Sequence, residues 1–382
     1  MISQSFSTLP TDRSIPFSKV VDFHGEHNPR RCYAVLPHPD DAKDPIRVSW
    51  RELSGAVNRG AYILNPMSNG SVPSIGTGHV VGIFAMIDTF LYYSIVLAII
   101  RSGNIVSSTC FVKASQLTRK TKPFPLSPRN TVDGVVNLLE TTSCHHLIIG
   151  GPSLIHDAVS EIHRKMEEKS HPVALIPSPS LEQLYPNLGV EDFDDQFVRT
   201  DPASSGGVFF HSSGTTGFPK AIHITERILL DFMNTRRSMI QVHSASSSKR
   251  TPYTAAIREV PPTWVVGSLP LPPFHLMSFY SQVLMPLAAG TTATFWAPTS
   301  APPPVPTPEN TLVGYKAANC NSLFVVPSFV LNWAQDDSSV EYLSTMDYVV
   351  GLAGPLSESS NTLTKRTVHL ALRRWTSSLG RR

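Results

Sequence analysis

The run from His79 to Ile100 carries a single formal charge, Asp88, so it needs apolar surroundings on nearly every side. Two fates compete for such a run: crossing a bilayer, or forming a buried strand followed by a buried helix. A carboxylate near the middle is costly in a membrane. Gly78, Gly82 and the β-favouring Val80, Val81, Ile83 and Phe84 instead read as a covered strand, with a helix starting at Asp88 and Thr89. The expectation is therefore a strand–helix unit and no membrane span.

The same alternation continues along the chain. Short apolar runs at Val80 to Phe84, Leu147 to Ile149, Pro172 to Ile176, Gly207 to Phe210, Val265 to Leu269, Thr292 to Trp296, Ser322 to Val326 and Tyr348 to Leu352 read as strands. Helical patterns lie between them. Thr131 to Thr142 sets Val132, Val135, Val136 and Leu139 on one face, and Pro152 to Lys169 does so with Leu154, Ile155, Ala158, Val159 and Ile162. The fold class is α/β with largely parallel, covered sheets. His156 and His163 lie on the second helix without further ligands, so a solvated face is expected. Ala301 to Pro308 reads as an extended connector, and Ser244 to Arg250 as a surface loop.

Composition narrows the function classes. With 41% hydrophobic and 16% charged residues in 382, the chain is a globular protein of two or three structural units. Cys32, Cys110, Cys144 and Cys320 lack the close spacing of a zinc or redox site and read as reduced thiols. The polar first residues, Met1 to Ser14, do not resemble a secretory signal, so a cytoplasmic location is expected. The net charge is +3, and the whole excess sits in two segments free of acidic residues. Ser107 to Pro123 holds Lys113, Arg119, Lys120 and Lys122; Ser359 to Arg382 holds Lys365, Arg366, Arg373, Arg374, Arg381 and Arg382. Neither interleaves aromatics with its cations, so no nucleic-acid partner is expected.

The chemistry is concentrated in Val208-Phe209-Phe210-His211-Ser212-Ser213-Gly214-Thr215-Thr216-Gly217-Phe218-Pro219-Lys220, an apolar strand running into a loop of hydroxyls and glycines. Gly214 and Gly217 permit positive φ and close approach to an anion. Ser212, Ser213, Thr215 and Thr216 offer hydroxyl donors, and Lys220 supplies a positive charge to the outer phosphates. The spacing differs from the Walker loop, which has four residues between its glycine and its GK[ST].

From Ser212 to Lys220 the sequence resembles the signature SSGTTGxPK of the adenylate-forming superfamily: acyl-CoA synthetases, peptide-synthetase adenylation domains and, most closely, fungal carboxylate reductases. Other stretches resemble family segments in the same order. Val48-Ser49-Trp50-Arg51-Glu52-Leu53 is similar to an early helix start, with Trp50, Leu53, Val57 and Ala61 on one stripe. Leu97 to Gly103 is similar to the next helix end, Leu271-Pro272-Pro273-Phe274-His275 to the segment lining the acyl pocket, and Gly351-Leu352-Ala353-Gly354-Pro355-Leu356 to the glycine turn beside the adenylate. The resemblance implies the large N-terminal domain of the acyl-adenylate fold, two covered and mostly parallel sheets plus a small β subdomain, with the C-terminal part truncated.

It also implies activation of a carboxylic acid by ATP and Mg2+, with a CoA or carrier-protein phosphopantetheine thiol as acceptor; the apolar neighbourhood of His275, Met277, Phe279 and Tyr280 points to an aromatic or other apolar acid. Ser212, Ser213, Gly214, Thr215, Thr216, Gly217 and Lys220 would hold the phosphates, Thr216 the metal, and Gly351 and Gly354 the adenylate. Lys220 and His275 are the catalytic candidates. His275 would stand at the mouth of the acid pocket, or else cap the helix beginning near Leu276.

The expected organisation is an N-terminal extension over 1–30, the adenylation domain over 31–356 with an insertion at 107–123, and an aberrant basic tail over 357–382. The insertion reads either as a retained short intron or as a natural surface insertion. Leu372-Arg373-Arg374-Trp375-Thr376 stands where the family carries YGxTE, whose acidic residue serves the magnesium and adenylate. An incomplete copy with little activity alone is therefore expected; the alternative is a nucleotide-binding or interaction protein without turnover.

Overall fold

A computed structural model describes residues 6–10, 12–39, 44–64, 79–102, 121–190, 206–212, 217–242, 263–298 and 303–351. Twelve strands are described: β1 (Cys32–Leu36), β2 (Ile46–Ser49), β3 (Val80–Ala85), β4 (Lys122–Pro125), β5 (Cys144–Gly150), β6 (Ala174–Pro177), β7 (Val208–His211), β8 (Ala221–Ile224), β9 (Val265–Gly267), β10 (Thr292–Thr294), β11 (Ser322–Val325) and β12 (Tyr348–Gly351). They form a six-stranded sheet of order β12-β11-β9-β10-β1-β2, a four-stranded sheet of order β4-β3-β5-β6, and the β7-β8 hairpin. The four-stranded sheet is parallel throughout, and the larger one is parallel except for β1 with β2. All eight strands expected from the apolar runs are present.

Both sheets are covered on both faces, as the side-chain period of two requires. In β3, Val81, Ile83 and Ala85 enter the main core, while Val80 and Phe84 enter a second core on the opposite face. In β11, Phe324 faces the main core, and Leu323 and Val325 face a third. The main core holds helices α1 (Val20–His27), α2 (Trp50–Leu64) and α3 (Thr89–Ser102). Helices α4 (Val132–Thr141) and α5 (His156–Glu168) cover the outer face of the smaller sheet. No helix among the described residues is long and apolar enough to cross a membrane. The run that raised the question is β3 followed by α3, whose start Asp88 caps by accepting the Leu91 amide at 2.7 Å.

Helices α2 and α3 cross closely because Gly60 has no side chain: a Cβ there would lie 2.7 Å from that of Ala98. On α2, the stripe of Trp50, Leu53, Val57 and Ala61 is buried as its spacing requires. Leu154 departs from the expected helix face. It lies in the one-turn segment Ser153–Ile155 before α5 and is 77% exposed. His156 is exposed, and His163 lies 3.8 Å from Glu167. The described residues contain no group of three His, Cys, Asp or Glu side chains able to hold a metal.

Where it is described, the expected N-terminal extension packs on the rest of the domain: Leu9, Phe17, Val20 and Val21 belong to the main core, and the Phe17 amide donates to Glu226 at 2.9 Å. The expected insertion 107–123 ends inside a strand, since Lys122 and Pro123 pair with Val80 and Val81 and Thr121 is fully buried. Residues 107–120, the loop at 244–250 and the expected tail lie outside the described residues. Of the connector, residues 303–307 are non-helical and lead into a helix that starts at Pro308, capped by Thr307.

His24 on α1 ties this N-terminal segment down. Its Nδ1 accepts from Asn28 Nδ2 at 3.0 Å, so Nε2 carries the proton donated to Leu287 O at 2.8 Å. Burial pushes its pKa down to about 4 from 6.5. The unfolded chain therefore takes up this proton before the folded one does. Stability contributed by neutral His24 is complete above pH 6.5 and is lost as pH falls toward 4, by about 3 kcal/mol. Denaturant unfolding across this range should show the decline, and His24→Gln should flatten it.

Candidate nucleotide site

Strand β7 presents the phosphate loop. Val208 and Phe210 point into the main core, which leaves Phe209 and His211 on the other side of the strand. Strand β8 returns antiparallel, pairing Val208 with Ile224 and His211 with Ala221. One step beyond this register the hairpin is closed twice: the Ser212 amide donates to Lys220 O at 3.0 Å, and the Lys220 amide donates to Ser212 Oγ at 3.1 Å. The Ser212 hydroxyl hydrogen has no acceptor among the described residues, so the loop's first hydroxyl is held in place with its donor available.

Gly217 has φ +153°, and no described residue comes within 4 Å of where a Cβ would be. Lys220 is exposed, and its ammonium makes no ion pair with a described residue. Pro219 packs on the first turn of α4, its Cδ 3.2 Å from a Cβ built at Gly134. Ser213, Gly214, Thr215 and Thr216, and the later Gly354, lie outside the described residues. Gly351 ends β12, paired with Val325 of β11 at the edge of the large sheet.

His275 caps the short helix Leu276–Phe279, its Nδ1 accepting from the Met277 amide at 3.4 Å. The ring is exposed, so capping leaves its other nitrogen accessible. The segment before it is fixed from two sides: Tyr93 donates to Pro273 O at 3.0 Å, and Ser278 Oγ donates to Leu271 O at 3.2 Å. Phe279, expected near the acid, is fully buried between Tyr93 and Phe210, with ring centroids at 6.0 and 5.5 Å. It is therefore a core residue. Tyr280 is likewise buried, against Phe232 and Phe324.

His211, inside the motif but outside the expected site, joins the loop to the neighbouring sheet. Its Nε2 accepts from the Ser127 amide at 3.1 Å, and its Nδ1 lies 3.1 Å from Ser212 O. Burial, followed by the nearby charge of His275, lowers its pKa. The sequence signal for it was a titratable ring ending an apolar strand, on the face that Val208 and Phe210 leave.

Two covered α/β sheets thus carry a hairpin whose sequence is rich in glycines and hydroxyls and ends in an exposed lysine. The AMP-binding enzyme family profile matches residues 120–369, and the chain belongs to that family. Over 375 residues it is 32% identical to adenylate-forming reductase Nps11 of Serpula lacrymans var. lacrymans (strain S7.9), covering 94% of this chain and 30% of the relative. Adenylate-forming reductase Nps10 of Heterobasidion annosum is 26% identical, with 93% and 30% covered. The chain thus spans about 30% of the length of these curated relatives. Among solved structures, it is similar to the Klebsiella oxytoca NpsA N-terminal subdomain in complex with 3-hydroxybenzoyl-AMSN (TM-score 0.58, 16% identity, 96% of this chain and 72% of that one). ATP-bound MatB from Rhodopseudomonas palustris gives a TM-score of 0.59 at 15% identity, with 92% and 57% covered. These likenesses establish the fold as that of an adenylation-type N-terminal domain.

Proposed function

We propose that the chain binds ATP at the β7-β8 hairpin and serves the activation of a carboxylic acid to an acyl-adenylate. The observation that carries this reading is the double closure between Ser212 and Lys220, which sets a hydroxyl donor and an ammonium without an ion pair among the described residues at the mouth of one loop. Such preorganised donors and charge suit a departing pyrophosphate, on which negative charge builds as it leaves. Ser213, Thr215 and Thr216 would add hydroxyls, and Gly214, Gly351 and Gly354 would admit the backbone alongside phosphate and adenylate.

Mg2+ would come to this site with the phosphates, Thr216 offering it a hydroxyl. It keeps several waters and is usually bound through one or two carboxylates besides the phosphate oxygens, and the described residues gather no group of three His, Cys, Asp or Glu side chains to hold it without the nucleotide. When bound it neutralises phosphate charge. His275, anchored by the segment behind it, would stand at the acid's entrance. An aromatic acid is favoured by the likeness to NpsA, whose solved complex holds a 3-hydroxybenzoyl adenylate analogue. A CoA or carrier-protein thiol would accept the acyl group.

In place of the family's acidic residue after the glycine turn, the sequence reads Leu372-Arg373-Arg374-Trp375-Thr376. This favours a second reading, nucleotide binding without appreciable turnover. Calorimetry with ATP and pyrophosphate–ATP exchange with a panel of aromatic and aliphatic acids separate the two on the 382-residue chain. Binding with weak exchange is the expected result. Robust exchange would show that the acidic residue is dispensable, and absence of ATP binding would remove the nucleotide assignment altogether.

A further inference from the structure

We infer that His211 is a positioning residue: a neutral imidazole with its proton on Nδ1 that sets the head of the phosphate loop against the smaller sheet. The donors around the ring fix its tautomer. The Ser127 backbone N–H points at Nε2 from 3.1 Å, and the Asn130 side-chain nitrogen lies 3.4 Å from the same atom. Two donors converge on Nε2, so it must be the acceptor, and in a neutral ring the proton then sits on Nδ1. There it donates to Ser212 O at 3.1 Å. One tautomer satisfies all three contacts, whereas the other would set N–H against N–H on one side and a lone pair against a carbonyl on the other.

The consequence falls on Ser212. Its amide and hydroxyl oxygen are held by Lys220, and its carbonyl is held by His211. Every backbone polar group of the loop's first residue is therefore fixed, and through Ser127 it is tied to the turn between β4 and α4. The ring is also wedged against Phe124, with centroids 6.4 Å apart. Charged or titratable groups on the surrounding elements are His275 before its short helix, Arg129 in the β4–α4 turn, Asp133 in the first turn of α4, Lys220 at the hairpin mouth and His223 on β8. Burial and the charge of His275 oppose a positive charge on His211, while the bond to Ser212 O favours one. Protonation would turn Nε2 from acceptor to donor and break the tie to Ser127.

The functional half of the inference rests on the ATP-binding reading; the tautomer does not. Nitrogen-resolved NMR of the histidine rings at pH 7.5, with the His211 signal assigned by its loss in His211→Gln, should show the Nδ1–H form. The Nε2–H form or an imidazolium would overturn the inference whether or not ATP binds. With Mg-ATP as calorimetric probe, His211→Phe should weaken binding by about tenfold, because the Ser127 donor and the Ser212 carbonyl lose their partner. His211→Gln, whose carbonyl can accept from Ser127, should recover most of that loss. Acidifying until the His211 ring signal reports protonation should weaken binding in the parent more than in His211→Gln, whereas an imidazolium acting directly on phosphate would strengthen it. Equal affinity of parent and His211→Phe, or strengthening at low pH, would refute the positioning role. A parent that does not bind ATP would refute the nucleotide reading, leaving the tautomer to judge His211.

Discussion

Lys220→Ala is expected to weaken ATP binding by about ten- to a hundredfold, the loss associated with removing a charged hydrogen-bond partner from phosphate. Lys220 ends the loop, and its ammonium makes no ion pair with a described residue, so its removal strips positive charge from the loop mouth without leaving a described carboxylate unpaired. Its backbone makes both closing contacts with Ser212, and alanine preserves these. The variant should therefore fold as the parent does and lose affinity alone. Arginine should recover part of the loss, because it restores the charge with a different reach and a planar donor set. Calorimetry at low salt, together with thermal unfolding as the folding control, checks the prediction. Affinity equal to the parent would remove Lys220 from the phosphate site.

The strands legible in the sequence are those whose apolar runs are buried on both faces, such as β3, β5 and β11. Strand β1 was missed although it too is buried on both faces; the others missed share a different physics. Strand β4 contains Pro123 and Pro125, which normally argue against a strand, but it lies at the edge of its sheet, where a missing N–H costs no ladder bond on the open side. Strands β2 and β8 are four residues long and half exposed, too short to show an alternation. The packing of residues 6–27 was readable in principle, since Phe17, Val20, Val21 and His24 have helical spacing and all are buried. A histidine on the apolar stripe obscures that pattern until its two partners, Asn28 and Leu287, are known.

The candidate site was legible where it is local. Nine consecutive residues, Ser212 to Lys220, announce a phosphate loop because backbone freedom, hydroxyls and charge must be contiguous to wrap one anion. What joins the loop to the rest of the protein was not legible. Ser127 and Asn130 reach His211 across 84 and 81 residues of sequence, and no periodicity encodes a contact between two turns. Similarly, Phe279 closely follows the segment that resembles pocket lining, yet Tyr93 and Phe210 close over it.

Asp22→Ala should destabilise the protein by about 3–5 kcal/mol, because it would take the Asp22 carboxylate away from a buried guanidinium. Arg101 near the end of α3 is only 2% exposed, and its Nη1 pairs with Asp22 of α1. The other Asp22 oxygen accepts from Ser54 Oγ at 3.1 Å and Asn58 Nδ2 at 3.2 Å, both on α2. One carboxylate thus joins three helices of the main core. Removing it leaves Arg101 charged in a poorly hydrated place, since a guanidinium does not give up its proton. Asp22→Asn keeps the shape and an oxygen for Ser54 but cancels the negative charge, and it should lose a substantial part of the same stability. Replacing the pair together with apolar residues, Asp22→Leu with Arg101→Met, should cost less than Asp22→Ala alone, because neither charge is then left unmatched. Urea unfolding of the three variants and the parent gives the comparison. A double variant less stable than Asp22→Ala would mean that the pair contributes net stability beyond its own desolvation. An Asp22→Ala loss below about 1 kcal/mol would place this ion pair with the surface pairs, in spite of its burial.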